Sequence, residues 1–190
     1  MQFAKKSLGQ NFLIDKNIIK KIINIIDVEN KNIIEIGSGK GALTNEIIKK
    51  NPKSLSIIEK DFYLSKELNL KYKKNKIVKI YNTDVLKLNI EKLCKKNSVI
   101  FGNLPYNISS QILVKILKFK KWPPKFTDLI LMFQKELGEK ILGKFPSANY
   151  GRLSILTSYR LKILKNFVEK IQLYLAIFHI IFLHKYLLKF

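Results

Sequence analysis

The chain has 190 residues, of which 47% are hydrophobic and 26% charged, proportions that suit one globular domain with its own core and exclude a disordered segment. Its net charge of +22 points to a polyanionic partner, most simply RNA held through its phosphates. Cys94 is the single cysteine, which excludes an intrachain disulfide or a Cys-based metal cluster and suits a reducing cytosol.

Two observations temper the charge. The chain is rich in Lys, Asn, Ile, Phe and Tyr, the residues an AT-rich genome favours, and its only arginines are Arg152 and Arg160. The forked guanidinium is the usual choice for specific phosphate or base recognition. Charge alone therefore leaves the partner open. No apolar h-region follows Met1, so no secretory signal is expected.

In chain order, the basic segment K-K-S-L-G-Q-N-F-L over residues 5–13 leads to Asp15, a good N-cap. Apolar residues at 18, 19, 22, 23, 25 and 26 then predict a one-sided helix. Residues 32–44 read N-I-I-E-I-G-S-G-K-G-A-L-T. Ile33, Ile34 and Ile36 predict a buried strand, Gly37, Gly39 and Gly41 a tight turn, and 42–50 a helix stopped by Asn51 and Pro52. A strand that turns through glycines into a helix presents backbone N–H groups to a nucleotide or nucleoside. The phosphate-loop pattern fails because Gly41 follows Lys40. Gly37, Gly39 and Ala42 permit a dinucleotide loop, and E-I-G-S-G-K-G fits an S-adenosylmethionine loop equally well.

Residues 54–58 predict a second strand ending at Glu59, a carboxylate placed to accept ribose hydroxyls. A helix over 62–72 and a third strand over 76–81 follow, with Asp84 just beyond. Asp84 either receives the exocyclic amine of an adenine or caps the next segment. Residues 87–96 read as loop or helix. A fourth strand over 98–101 runs into Gly102, Asn103, Leu104, Pro105 and Tyr106. Adenine's exocyclic nitrogen is a poor nucleophile, because its lone pair is delocalised into the ring. A catalyst must orient that nitrogen and place it in line with a methyl donor. An Asn oxygen and a carbonyl held rigid by proline do this without a general base, and a Tyr ring offers a stacking face for the base.

These segments resemble the bacterial ribosomal RNA adenine N6-dimethyltransferases, the KsgA group, with the Erm resistance methyltransferases as relatives. The resemblance runs through K-S-L-G-Q-N-F-L, E-I-G-S-G-K-G-A-L-T, I-I-E-K-D, N-T-D-V-L, F-G-N-L-P-Y-N-I-S, Q-K-E-L-G-E-K-I and Y-G-R-L-S. The last two, around Gln134 and Tyr150, favour the KsgA group. The resemblance implies an α/β, Rossmann-like methyltransferase fold that uses S-adenosylmethionine. It implies that Asn11, Leu13, Gly37, Gly39, Glu59, Asp84 and Asn103 bind the cofactor. Asn103, Leu104, Pro105 and Tyr106 would hold the target base. The implied products are two adjacent N6,N6-dimethyladenines near the 3′ end of small-subunit ribosomal RNA, made on the immature subunit by a cytoplasmic monomer. An Erm-type activity on large-subunit RNA, an assembly factor without turnover and a nicotinamide-dependent oxidoreductase are the alternatives.

The rest reads as a helix over 108–118, a turn at Trp122, Pro123 and Pro124, a strand over 128–133, a helix over 134–142 and a polar loop over 144–151. Trp122 reads first as turn packing and second as an RNA stack. Lys144 and Arg152 are candidates for phosphate contacts. After Lys165 the resemblance ends. The family's helical C-terminal lobe is expected to be missing, with 1–166 the methyltransferase domain and 167–190 an atypical apolar tail. Three origins compete for the tail: off-frame translation, a divergent helix packed on the sheet, or a membrane contact. The first is preferred, and no membrane partner is expected. His179 and His184 are five residues apart, not the helical metal spacing, and are given no role; no metal site is expected.

Overall fold

A computed structural model of the chain describes residues 12–171 and 176–185. Its centre is a seven-stranded sheet in the order β3-β2-β1-β4-β5-β7-β6. The strands are β1 (Asn32–Ile36), β2 (Ser54–Glu59), β3 (Val78–Asn82), β4 (Ser98–Asn103), β5 (Phe126–Gln134), β6 (Leu161–Ile171) and β7 (Ala176–Lys185). The first five are parallel, and β7 is antiparallel to both of its neighbours. Chain order reverses between β1 and β4, so the crevice beyond their carboxyl ends is where a ligand is expected in such a sheet.

Helices cover both faces. On one lie α1 (Lys16–Ile23), α2 (Ala42–Lys49) and α3 (Phe62–Tyr72). Ile22, Ile47 and Leu68 pack there against Ile33, Ile57 and Phe101. The other face carries α4 (Ile90–Leu93), α5 (Ser109–Leu117) and α6 (Lys135–Leu142). Here Ile112, Ile116 and Ile141 pack against Ile34, Ile100, Leu129 and Leu131. The alternation of Ile33 and Ile34 between faces is the period-two geometry of a strand. Each fully buried Ile or Leu adds about 1.5–3 kcal/mol before entropy is subtracted.

Local chemistry sets the boundaries. Asp15 caps α1 through one oxygen that accepts the N–H groups of Asn17 and Ile18, at 2.8 and 3.2 Å. Asp61 does the same for α3, accepting from Tyr63 and Leu64 at 2.9 and 3.1 Å. Trp122 packs edge-on against Phe126, with the Arg160 guanidinium 4.6 Å from its ring centroid. This is the turn-packing role.

Two elements differ from expectation. Residues 152–160 form α7 (Arg152–Arg160), for which the sequence pattern gave no signal. Its buried side is Ser154 and Thr157, flanked only by Leu153 and Leu156 against the core, while Ile155 is exposed, so the apolar pattern is too short to mark it. The described part of the tail is strand, not helix: β6 runs through position 166 and β7 fills the slot between β5 and β6. Asp128 of β5 and His184 of β7 face each other across the pair, with Nδ1 of the imidazole 2.7 Å from the carboxylate. Among the described residues no helix is long and apolar enough to cross a membrane.

Candidate active site

The carboxyl ends of β1, β2, β3 and β4 surround a cavity of about 320 Å³. That is within the usual range for small-molecule sites. Its wall includes Leu13, Gly37, Gly39, Glu59, Asp84, Asn103 and Pro105, all singled out from the sequence. Leu104 is buried in the core and does not line the cavity, so only its main chain is available to a ligand. Tyr106 opens a 3-10 turn (Tyr106–Ile108) just beyond Pro105, and it too is absent from the wall. Asn11 lies outside the described residues.

The glycine loop fits around its neighbours with no room for side chains. Gly37 has φ +72°, and a Cβ there would lie 2.9 Å from the main-chain oxygen of Asn103. Its N–H donates to the Ile58 carbonyl at 3.0 Å. The loop thus touches both adjacent strand ends, β2 and β4. Gly39 has φ +56° and presses against the Phe12 ring, which the Lys40 ammonium covers at 5.2 Å. Phe12 closes the cavity over the loop and was not picked out from the sequence. No side chain caps α2, whose N-cap is Gly41.

Glu59 is almost fully buried and held at both oxygens. Oε2 accepts the Gly39 N–H at 3.0 Å and Oε1 the Asp61 N–H at 2.9 Å. Burial raises its pKa more than these bonds lower it. Asp84 takes the capping role and also lines the cavity. One oxygen accepts the Leu86 N–H at 2.9 Å, and the other faces the Lys60 ammonium at 3.0 Å, on the cavity wall. The Leu86 bond, then Lys60, hold its carboxyl below the usual range.

Glu35 also lines the cavity, near the carboxyl end of β1, and accepts a 2.6 Å bond from the Thr44 hydroxyl of α2. Burial pushes its carboxyl up to about 7 from an ordinary 4.5. Between those values the folded chain holds the proton and the unfolded chain does not. Stability should therefore fall as pH rises from about 4.5 to about 7 and then level off. Glu35→Gln should remove most of that fall, on the order of 3 kcal/mol at neutral pH. Urea unfolding at both ends of the window checks this; an equal fall in the variant would rule Glu35 out as its source.

A seven-stranded sheet in which β7 alone runs antiparallel, with a glycine loop at the switch point, defines a Rossmann-like methyltransferase domain. Two solved structures share that fold. A dimethyladenosine transferase from Plasmodium falciparum has TM-score 0.78 and 26% identity, over 93% of this chain and 64% of that one. The 23S rRNA methyltransferase ErmE has TM-score 0.74 and 21% identity, over 93% and 70%. The ribosomal RNA adenine dimethylase profile matches residues 1–171, and the chain belongs to that family. It is 48% identical over 165 residues to ribosomal RNA small subunit methyltransferase A of Pelagibacter ubique (strain HTCC1062), which covers 85% of this chain and 61% of that protein. The chain thus spans about three-fifths of the length of that curated relative.

Proposed function

We propose that the chain uses S-adenosylmethionine to convert two adjacent adenines near the 3′ end of small-subunit ribosomal RNA to N6,N6-dimethyladenine. One observation carries the reading. Gly37 and Gly39, Glu59, Asp84, and Asn103 with Pro105 come from four strand ends and share one cavity. Membership of the adenine dimethylase family, and the small-subunit name of the Pelagibacter relative, support the substrate. The immature small subunit as partner, a monomeric state and the cytoplasm belong to the same proposal. The division at residue 166 is taken as a compositional boundary; the tail beyond it, read as off-frame, supplies β7 all the same.

The wall suits the cofactor on its own terms. Gly37 and Gly39 leave bare backbone where any Cβ would collide. Glu59, fixed by two N–H donors, keeps lone pairs for a pair of ribose hydroxyls. Asp84 stays ionised beside Lys60 and accepts an adenine amine. When bound, S-adenosylmethionine supplies an electrophilic methyl on a sulfonium. The chain's own part is to orient the target amine. Asn103 and the neighbouring main-chain carbonyls accept its hydrogens, which turns the nitrogen lone pair toward the methyl. Pro105 fixes the backbone, and Tyr106 offers a face to the extruded base.

Transfer of labelled methyl from S-adenosylmethionine to a mixture of small subunits lacking the modification and unmodified large subunits tests the reading. Label recovered as dimethyladenine supports it, and label confined to large-subunit RNA would replace it with the Erm-type activity. Glu59→Gln should weaken cofactor binding roughly 10- to 100-fold, because an amide cannot accept from both Gly39 and Asp61 and leaves one buried donor unpaired. Calorimetric titration with the cofactor measures it; an unchanged affinity would remove Glu59 from the site.

A further inference from the structure

The other end of the sheet carries charge that methyl transfer does not use. The parallel strands begin level: Asn32 pairs with both Ser54 and Ser98, Leu55 with Val78, and Ser98 with Phe126. The loops that feed these strands therefore share one surface, opposite the cavity. They are also bonded to one another. The Lys53 N–H donates to the Lys31 carbonyl at 2.8 Å and the Leu55 N–H to Ile77 at 2.8 Å. Asn32 Nδ2 donates to the Lys96 carbonyl at 3.3 Å, and the Thr127 hydroxyl to Ser98 at 3.4 Å. Asn30, Asn51 and Asn97 turn three of the loops with φ of 55°, 51° and 60°.

This surface is basic. Lys53 precedes β2, Lys74 and Lys76 precede β3, Lys96 precedes β4, and Lys120 and Lys121 precede β5; all are exposed. None of these six forms an ion pair among the described residues. The acids at this end are few and partly engaged. Asp27 accepts the Glu29 N–H at 2.9 Å. Glu91 accepts the N–H groups of Lys120 and Lys121, at 3.0 and 2.9 Å, and so builds the turn that presents those two lysines. The cavity end, by contrast, carries Glu35, Glu59, Asp61 and Asp84 beside Lys40 and Lys60. Among the described residues, carboxylates are thus concentrated at the cavity end and unpaired lysines at the other.

The spacing suits a nucleic acid backbone. From β3 to β5 the surface crosses four inter-strand gaps of about 4.8 Å, roughly 19 Å, enough to face about five phosphates of one strand. Lysine supplies point charges rather than the forked recognition of arginine, and both arginines lie elsewhere, in α7. A membrane surface would call for apolar anchors among the lysines, and none of the large exposed apolar side chains lies in these loops.

We infer that the lysine-rich amino-terminal edge of the sheet is a second docking surface, for the sugar–phosphate backbone of a folded RNA, on the side opposite the methyl-transfer edge. The choice of RNA as partner rests on the proposed function; the position of the surface rests on the charge distribution. Such a chain is gripped from two sides, so its substrate is a compact RNA that reaches both ends of the strands. Contacts here are to phosphate and sugar, and they set position rather than sequence.

The test is binding of a labelled RNA hairpin of arbitrary sequence to the full chain over a salt series. The triple variant Lys74→Gln, Lys96→Gln, Lys121→Gln is compared with Lys66→Gln, Lys140→Gln, Lys165→Gln, which removes the same charge from exposed positions on α3, α6 and β6. The first should reduce the slope of log affinity against log salt by about 2–3, and the second by less than about one. Cofactor affinity should be unchanged in both, which also shows that both fold. Equal slopes in the two variants, or no change in either, overturns the surface. So does tighter binding of phosphatidylglycerol vesicles than of the hairpin that the first variant alone abolishes. Failure of the methyltransferase reading is seen separately: a chain that binds no cofactor but loses slope in the first variant keeps the surface and loses the enzyme.

Discussion

Gly37→Ala is expected to destabilise the fold by about 2–4 kcal/mol and to abolish cofactor binding. Gly37 sits at φ +72°, a conformation that costs a residue with a side chain roughly 1–2 kcal/mol. The new methyl group would also lie 2.9 Å from the Asn103 carbonyl oxygen. Both partners are main chain, and both are tied into adjacent parallel strands, so neither can rotate away. Relief must come from separating the ends of β1 and β4, which is where the cavity is built. Gly41→Ala provides the contrast. It shares the left-handed φ, but its Cβ meets the ends of the Tyr72 and Leu68 side chains, which can shift. Denaturant unfolding and cofactor titration of the two variants should therefore separate, with Gly37→Ala far the worse. Equal behaviour would show that backbone conformation alone, and not contact with Asn103, governs the loop.

Asn103→Ala should lower the rate of methyl transfer by about 10²- to 10³-fold while leaving most cofactor affinity in place. In the proposed site the cofactor rests on Gly37, Gly39, Glu59 and Asp84, which come from β1, β2 and beyond β3. What is lost is the acceptor that orients the target amine. The turnover number should fall rather than the cofactor dissociation constant rise, and single-turnover transfer with saturating cofactor reads that split. If the rate survives, the main-chain carbonyls suffice and Asn103 is a structural residue at the end of β4.

The central half of the fold was legible because its chemistry is local. The isoleucines of β1, the three glycines after it and the Asn51–Pro52 stop declare their own conformations. That Glu59 and Asp84 would share one wall was legible because strand ends in a parallel sheet lie along one edge. The partners of those carboxylates were not legible. That Lys60 sits on Asp84, or Thr44 on Glu35, depends on side-chain directions that spacing does not fix. Leu104 shows the converse limit, since a residue inside a functional motif can face the core. The tail failed for a different reason. Residues 161–185 contain no glycine, proline or aspartate to mark strand ends, and β7, in the interior of the sheet, reads as a nearly continuous apolar run. The pairing of His184 with Asp128 joins positions 56 apart in sequence, beyond any local pattern.

The order β5-β7-β6 has a consequence for how the chain emerges from its own ribosome. β6 is synthesised before β7 yet lies outside it, so β6 has no place in the sheet until β7 has arrived. Until then β5 is an open edge, and Leu129, Leu131 and Phe133 lack the cover that Ile181 and Leu183 later share with them. A nascent chain in that state presents an apolar, unpaired strand to any neighbour, the usual starting point for misassembly. Slow translation through the last strand would lengthen that interval, and a holdase that recognises extended apolar segments would shorten its harm.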